Sequence, residues 1–406
     1  MNKTLVMAAA GVLLVAAAPA FAGTDFTKAI TEGKVSGDAR VRYENVDTTA
    51  LDDANAFTAG ARLGYTTGDF YGVSGMVEFE GVSGILNEDY NDTVNGKVGQ
   101  STVADPETAE VNQAFLQYSN FDSTLRAGRQ TLENMDNGRW VGSDTWRQNH
   151  TSYDAVLLQT KALKGVTATY AYVGQLNTNI GSEATTGTVE HDSHLLNVST
   201  DLLKFLTVSG YGYFLDSDEI AAQGSTTWGV RGAGEYAIDN AWRALYSAEW
   251  ANQEDAGDNA ASYDLNYYAL EGGVGYKSFT AKVGYEVAEA DGVNGIVAPF
   301  SDAHKFNGGA DVIGLSNGGV GLEDLYVGAH VEVAQVNPWV DGLNICAEWH
   351  DFTAENGGAD LGTEWNVGLN KDFGKHYNAG VYFFSYDADT FGADTDKFIV
   401  EVSAKI

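Results

Sequence analysis

The chain has 406 residues, 12% of them aromatic, with 56 acidic against 23 basic residues and a formal net charge of −33. A single cysteine excludes a disulfide framework or a cysteine-cluster metal site, and no acidic segment has calcium-loop spacing. The acidity argues against nucleic-acid binding, and the aromatic content argues against a disordered chain. We therefore expect a folded protein with no cofactor, no metal ion and no nucleic-acid partner.

The first 22 residues have the organisation of a secretory signal peptide. Asn2 and Lys3 precede an apolar run from Leu5 to Ala18, and Ala20-Phe21-Ala22 forms a small-x-small cleavage site. A membrane-anchor helix is the alternative for this run. We predict a signal peptide at 1–22 and a single mature domain at 23–406. No later stretch has the roughly 18 to 20 apolar residues of a spanning helix, so the mature domain is either soluble or a β-barrel.

Strict alternation of apolar and polar residues begins soon after the cleavage site. One face of the first segment carries Val35, Gly37, Ala39, Val41 and Tyr43, and the other carries Ser36, Asp38, Arg40, Arg42 and Glu44. The same period recurs at 57–65, 325–334 and 397–406. This pattern predicts β-strands with one apolar and one solvated face.

Eighteen such segments follow one another along the chain. They start near residues 35, 56, 70, 109, 123, 152, 165, 193, 205, 226, 241, 263, 279, 321, 342, 361, 377 and 395. Alternation is weak in the fourth, sixth and eighth segments, so sixteen strands are the alternative. Tight turns such as Lys277-Ser278 alternate with long connections such as 82–108 and 288–320. We therefore predict an all-β fold: a transmembrane antiparallel barrel with short periplasmic turns and long extracellular loops.

Aromatic residues flank the short turns, for example Tyr65 and Phe70 at the first turn and Phe373 and Tyr377 at the last. Amphipathic rings at the headgroup level produce this pattern in membrane barrels. A soluble β-sandwich would explain the alternation, but not aromatic residues at every second turn.

If the apolar faces point to lipid, the polar faces line the lumen. The predicted pore-lining residues are Arg40, Arg42, Arg62, Arg126, Arg129, Arg231, Arg243, Glu78, Glu80, Glu235, Glu249, Glu332, Glu348 and Glu364. Charges of both signs need water or one another, and eighteen strands enclose more space than side chains fill. A water-filled channel is expected, and a structural barrel locked by Arg–Glu pairs is the alternative.

The loop from Leu132 to His150 differs from the other long connections, which are rich in Asp, Asn, Gly and Thr. We predict that it folds inward as the pore constriction, where its guanidinium and indole groups contact solute. The candidate solute-contacting residues are Arg139, Trp140, Trp146, Arg147, Gln148 and Asn149. In the other interpretation, which does not exclude the first, these arginines pair with lumen carboxylates and tether the loop.

Several loop motifs carry a resemblance. They are Gly128-Arg129-Gln130, Arg139-Trp140-Val141-Gly142, Trp146-Arg147-Gln148-Asn149, His304-x-Phe306-x-Gly308 and Gly362-x-Glu364. The arrangement resembles the alginate-export family of outer-membrane porins. The resemblance implies an 18-stranded barrel that acts as a passive, monomeric channel, with a trimer as the alternative.

The polysaccharide exporter that names this family has an arginine-rich lumen suited to a uronate polymer. This chain has only 9 Arg and 14 Lys, and its predicted inner face carries both signs of charge. We therefore expect a porin for passive diffusion of small hydrophilic solutes and ions, with mild cation preference or a mixed field. The alternatives are an export channel for an acidic polysaccharide and a structural barrel without conductance.

The remaining expectations concern chemistry and location. The sequence has no GxSxG, HExxH or P-loop motif, so we predict no enzymatic activity and no catalytic residue. The expected location is the outer membrane, reached by cleavage of the signal peptide. The expected partners are outer-membrane lipid, lipopolysaccharide, the barrel-assembly machinery and small solutes.

Overall fold

The structure is a computed structural model, and it describes residues 25–133 and 135–406, with the side chains of Asn87 and Glu88 excepted. The signal peptide predicted at 1–22 lies outside the described residues and stays a prediction. In the part of the chain that is described, no helix is long and apolar enough to cross a membrane.

The described chain begins with one short helix, α1 (Phe26–Thr31). The Asp25 side chain caps it by accepting a hydrogen bond from the backbone N–H of Lys28 (3.2 Å). The Gly68 N–H donates to the Ala29 carbonyl (2.8 Å), so the helix is attached to the first short turn of the barrel.

Eighteen antiparallel strands follow, and each pairs with the next in sequence. Pairing of the first strand with the last closes the barrel, from Asp38 opposite Lys405 to Thr48 opposite Thr395. The strands are β1 (Lys34–Thr48), β2 (Ala54–Thr66), β3 (Val73–Asp89), β4 (Thr108–Asn120), β5 (Ser123–Gln130), β6 (Ser152–Thr160), β7 (Val166–Asn177), β8 (Thr188–Leu203), β9 (Leu206–Leu215), β10 (Ser225–Ala237), β11 (Trp242–Asp255), β12 (Asp264–Tyr276), β13 (Phe279–Ala288), β14 (Leu322–Glu332), β15 (Leu343–Thr353), β16 (Asp360–Phe373), β17 (Tyr377–Ala388) and β18 (Thr395–Lys405).

The predicted barrel of eighteen strands is confirmed, and the alternative of sixteen is not. The largest difference in a strand start is at β8, predicted near 193 and observed from Thr188. The tight turns have the expected chemistry: between β4 and β5, Phe121 and Asp122 adopt φ values of 50° and 54°. Two positive φ angles are typical of the two-residue turn whose twist matches that of the flanking strands.

The outer surface of the barrel is apolar and exposed. Large apolar side chains at the outward-facing strand positions are exposed all the way round the barrel. They include Leu63, Phe79, Leu116, Leu158, Leu196, Trp228, Trp250, Leu270, Val283, Val327, Trp365, Val381 and Val400. Soluble monomers seldom expose more than a few hundred Å² of contiguous apolar surface. A continuous apolar girdle is instead what a barrel presents to lipid.

Two long connections fold deep into the barrel, and the end of the connection between β3 and β4 meets the first of them, because Asp105 accepts a hydrogen bond from the Gln148 N–H (2.9 Å). The first inward loop (131–151) joins β5 to β6, and the second inward loop (289–321) joins β13 to β14. The second contains two single-turn 3-10 helices, Ala303–Lys305 and Asn317–Gly319. The main apolar core lies where these loops pack on the inner faces of the middle strands, and it includes Trp140, Tyr153, Val173, Leu195, Tyr211, Tyr267, Phe300 and Leu322.

Candidate functional site

One end of the first inward loop is attached to β1. The Arg40 guanidinium donates to the Arg147 carbonyl and to Gln148 Oε1 (3.0 Å). The Arg42 guanidinium donates to the Trp146 carbonyl (2.8 Å). Alternation along β1 points both arginines inward, so the strand presents two cations to the carbonyl groups of the loop.

The other end of the same loop is attached to the opposite wall. The Trp140 indole N–H donates to Glu249 Oε1 on β11 (2.9 Å). Arg139 pairs with Glu286 on β13 (2.6 Å), and it also donates to Asn307 of the second inward loop (3.0 Å). In a ring of eighteen strands β10 lies opposite β1, with β11 beside it. The first inward loop therefore crosses the lumen.

Arg147 lies in a buried charge cluster on the β1 side. Its Nη2 atom is 2.8 Å from Asp105 Oδ2 and 3.1 Å from Glu44 Oε2. Burial alone would raise the pKa of Asp105, but Arg147 and Arg42 outweigh it and hold that pKa below its ordinary value. Burial likewise opposes the charge of Arg147, yet Asp105 and Glu44 raise its pKa. Asp105 and Arg147 therefore carry opposite charges, and their pairing holds the loop.

His150, three residues after Arg147, is neutral because of its burial and its charged neighbours. Burial, and then the neighbouring charges of Arg62 and Arg40, lower the pKa of His150 to about 2. Its backbone N–H donates to Glu80 Oε1 on β3 (2.9 Å). His150 thus contributes no charge at the end of the loop.

The two inward loops pair with each other through their backbones. The Asp302 N–H donates to the Gly138 carbonyl (2.8 Å), and the Gly142 N–H donates to the Phe300 carbonyl (2.8 Å). A Cβ atom on Gly142 would lie 2.6 Å from Asp302 Cβ, so the close approach requires glycine there. The loops form one connected layer across the lumen.

The second inward loop is attached to the last strands of the barrel. Asp311 accepts from Lys397 on β18 (2.7 Å) and contacts His304 Nδ1 (2.7 Å). Burial would raise the pKa of Asp311, but Lys397 and His304 bring it well below its ordinary value. The Ala310 N–H donates to Glu364 Oε1 on β16 (2.9 Å). Sequence analysis did not predict that this loop folds inward.

An aromatic septum, defined here as Trp146, His304, Tyr382 and Phe384, joins both loops to β17. The Trp146 ring stacks on His304 (centroids 4.0 Å apart) and meets Tyr382 and Phe384 edge-on at 5.3 and 6.2 Å. The Arg42 guanidinium lies 4.4 Å from the Trp146 ring centroid. The ring surface of Trp146 is thus largely covered by protein groups.

Cavities lie on both sides of this septum. The outer cavity, of about 400 Å³, is on the long-loop side and is lined by Trp146, His304, Asp144 and Lys397. The inner cavity, of about 260 Å³, is on the short-turn side and is lined by Tyr382 and Phe384 with residues of β13 to β16. The septum therefore lies between two cavities of the lumen, each large enough to hold several water molecules.

Of the six residues predicted to contact solute, five are buried and Trp146 is partly exposed. Arg139, Trp140, Gln148 and Asn149 are at most 3% exposed, and Arg147 is 7% exposed. Arg139, Trp140, Arg147 and Gln148 all contact the barrel wall, which favours the tethering interpretation. Trp146 and Arg147 also line the outer cavity. Contact with solute stays a prediction for all six residues.

Most of the predicted pore-lining charges lie on the inner face, and most are paired with an opposite charge. The closest pairs are Arg42–Glu401 (2.7 Å), Arg62–Asp38 (2.6 Å), Arg62–Glu80 (3.0 Å), Arg231–Glu249 (3.3 Å), Arg243–Glu235 (3.2 Å) and Lys282–Glu348 (2.9 Å). Three further predicted residues behave differently: Glu78 accepts from Asn112 and Gln113, Arg126 donates to Gln117, and Glu332 ends β14 exposed.

The structure places Arg129 differently from the other residues predicted to line the lumen. It follows inward-facing Arg126 by three positions on β5, so alternation turns it to the other face. Its neighbour Gln130 is buried and pairs in register with Tyr153, which packs against the first inward loop. Arg129 instead binds Asp154 (2.7 Å) on the outer face, at the long-loop end of the barrel.

Comparison with known proteins agrees with this architecture. The family model described as alginate export matches residues 34–294. Among solved structures, Acinetobacter baumannii OccAB4 is 16% identical with a TM-score of 0.72, covering 93% of this chain and 98% of that chain. Pseudomonas aeruginosa OpdK, solved with vanillate, is 13% identical with a TM-score of 0.75, covering 93% and 99%. Pseudomonas aeruginosa OccD3 (OpdP) is 12% identical with a TM-score of 0.71, covering 94% and 92%.

No curated protein sequence matches the chain significantly. At identities this low, the likeness to the solved structures concerns the fold alone.

Proposed function

We propose that this chain, which belongs to the alginate export family, forms a water-filled channel for passive diffusion of small hydrophilic solutes and ions across the outer membrane. The observation that carries the proposal is the layer of two paired loops across the lumen, with a cavity on each side of it. A lumen of eighteen strands is too wide for its side chains to fill. A loop layer narrows such a lumen to molecular size.

The charges along this path favour weak selectivity. Most inner-wall arginines face carboxylates across neighbouring strands, and Arg139 and Arg147 of the loop are paired as well. Because the two charges of each pair lie on adjacent strands, they offset each other locally and do not form a funnel for one sign of ion. The long connections outside are rich in carboxylates, as in Asp52-Asp53 and Asp216 to Glu219. They concentrate cations at low ionic strength.

The structural relative OpdK was solved with vanillate. A protein of the same fold that was solved with a small molecule supports small solutes as the cargo here. A sequence identity of 13% does not indicate which class of small solute this chain admits.

Export of an acidic polysaccharide is the second candidate, favoured by the name of the family. A polyanion needs cations that are free to bind it, whereas Arg42, Arg62 and Arg147 are each bonded to carboxylates. Arg126 is the clearest exception, because its guanidinium is bonded to the Gln117 amide oxygen (2.8 Å). A structural barrel without conductance is the third candidate, and the many ion pairs of the inner wall would favour it.

The further proposals concern location and assembly. We infer export by the predicted signal peptide, insertion by the barrel-assembly machinery, and contact of the apolar girdle with lipid and lipopolysaccharide. We expect a monomer, with a trimer as the alternative, and no enzymatic activity.

Swelling of proteoliposomes tests the three candidates against one another. The refolded protein, identified as a folded barrel by its heat-modifiable migration, is reconstituted and diluted into isotonic glycerol, glucose, sucrose or oligouronate. A porin admits these solutes at rates that fall with their size. Faster entry of oligouronate than of an uncharged sugar of equal size would favour the exporter. No swelling in any solute would favour the structural barrel, and protein-free liposomes give the background.

A further inference from the structure

The inner cavity has an aromatic wall on β17. Tyr382 and Phe384 are two residues apart on the inner face, and their rings are nearly parallel, 6° between planes with centroids 6.4 Å apart. Phe384 is buried under the loop layer, whereas Tyr382 is half-buried and borders the cavity. The two rings form a flat apolar strip that leads from the septum toward the short-turn rim.

Glycines on the neighbouring inner face make room for the Tyr382 ring. A Cβ atom on Gly368 would lie 3.2 Å from the Tyr382 ring and 2.6 Å from Cys346 Sγ. A Cβ atom on Gly380 would lie 2.6 Å from the Tyr382 hydroxyl oxygen. Without these side chains the ring lies along the barrel wall, and the Asn370 amide donates to its hydroxyl at 3.1 Å.

Polar groups surround the strip, and the charged ones are already paired. Lys282 Nζ is 2.9 Å from Glu348 and 3.3 Å from Glu271. Asn366 and His330 also line the cavity. An ionic solute would have to compete with these pairs, whereas an uncharged one adds hydrogen bonds without breaking them.

We propose that the inner cavity is a binding subsite for an uncharged pyranose ring, stacked on Tyr382 with its hydroxyl rim on Asn366 and the Lys282–Glu348 pair. A pyranose has apolar C–H faces and a rim of hydroxyls that both donate and accept. An aromatic face beside amide and paired charged groups complements both. The cavity, about 260 Å³, lies just below the roughly 300 to 1,000 Å³ of ordinary ligand pockets. The proposal rests on the channel function, because solute reaches this cavity only through an open lumen.

The native cysteine offers a direct test. Cys346 is the only cysteine of the chain, it is exposed, and it lines this cavity. The rate of its modification by methyl methanethiosulfonate, an uncharged reagent, is measured on the folded protein with increasing glucose. Mannitol at equal concentration is the control, since it has the hydroxyls without the ring. Glucose should slow labelling, about threefold at twice its dissociation constant, and mannitol should not.

Variants of β17 separate stacking from other effects. Tyr382→Ala should abolish the protection by glucose, and Tyr382→Phe should keep it. Phe383→Ala is the matched control, because this neighbouring ring is exposed on the outer face, and it should also keep the protection. Each variant is first checked for heat-modifiable migration, and the wild-type protection experiment does not depend on any variant.

Four results would overturn the proposal. Equal protection by glucose and mannitol would mean that no ring is recognised. Protection by benzoate and not by glucose would mean that the subsite takes aromatic acids. Liposome swelling in glucose without protection of Cys346 would leave the channel in place and remove the subsite. Absence of both swelling and labelling would contradict the channel and the subsite together.

Discussion

Arg139 is 2% exposed, and its guanidinium lies between Glu286 on β13 and Asn307 of the second inward loop. The Phe306 ring lies against it, 3.8 Å from the guanidinium carbon to the ring centroid. We predict that Arg139→Met lowers the free energy of unfolding by about 3 to 5 kcal/mol, because Glu286 would be left as a buried, unpaired charge. Urea unfolding in detergent measures this loss.

The matched control for Arg139 is Arg243, which pairs with Glu235 near the short-turn rim. Both side chains of that pair are more exposed, 28% and 54%, so Arg243→Met should cost less than about 1 kcal/mol. Equal losses for the two variants would contradict the view that burial makes Arg139 the stronger attachment.

The buried carboxyl group of Asp136 should make the stability of the folded protein depend on pH. It accepts hydrogen bonds from the Gly138 N–H (2.7 Å) and the Tyr213 hydroxyl (3.0 Å). Burial raises its pKa from 3.8 to about 6, and Glu249 adds to the rise. Because the folded pKa lies above the unfolded one, the stabilising contribution is complete below pH 3.8 and is lost as pH rises through about 6.

We therefore predict that Asp136→Asn removes about 2 to 3 kcal/mol of pH dependence between pH 4 and pH 7. The free energies of unfolding of the wild type and the variant are compared across this interval. Asp291→Asn, a change at a fully solvent-exposed carboxylate, is the control and should leave the wild-type dependence intact. A wild-type curve that is flat, or that rises with pH by the same amount, would contradict the prediction.

At the scale of elements, the first inward loop is expected to limit the conductance. It crosses the lumen from β1 to β11 and β13, so replacing 134–148 by a short Gly-Ser linker should remove the narrowing. We predict a several-fold rise in single-channel conductance together with faster liposome swelling in sucrose.

The control for this change is the solvent-exposed tip of another long connection. Replacement of the Glu183-Ala184-Thr185 tip, which lies between β7 and β8, should leave conductance within the wild-type range. Unchanged conductance after removal of the inward loop would mean that the septum residues on β17 or another segment set the limit.

The strands could be predicted from the sequence because alternation is a local property. Most predicted starts agree with the structure to within two residues, and β3 and β8 are the ones that differ by more. β3 starts at Val73 because Tyr71 and Gly72 adopt positive φ and form the turn. β8 starts earlier than predicted, at Thr188, because its first residues do not alternate clearly between apolar and polar types in the sequence.

The inward loops could be predicted only in part, because their attachments join residues far apart in sequence. Arg and Trp in the first loop indicated an unusual segment, but Arg139 is bonded to a carboxylate 147 positions away. The second loop gave a weaker signal, namely apolar residues such as Phe300, Ile313 and Leu315, which are buried in the core. No local pattern specifies which loop meets which wall.

At the scale of the whole molecule, the net charge of −33 predicts a salt-dependent selectivity. The screening length falls from about 30 Å at 0.01 M salt to about 3 Å at 1 M. The acidic outer loops should therefore raise the permeability ratio of K⁺ to Cl⁻ most in dilute KCl. In concentrated KCl this ratio should approach 1. Reversal potentials measured at both ends of this range test it. A preference unchanged by salt would assign selectivity to the paired charges of the constriction.

The most direct test of the channel is the single-channel current of the refolded, heat-modifiable protein in a planar bilayer under a KCl gradient. The structure of two loops across an otherwise wide lumen predicts discrete open steps with weak cation selectivity. Strong anion selectivity, with block by oligouronate, would contradict the assignment of the loop arginines as paired attachments. No current from a folded barrel would contradict the channel itself.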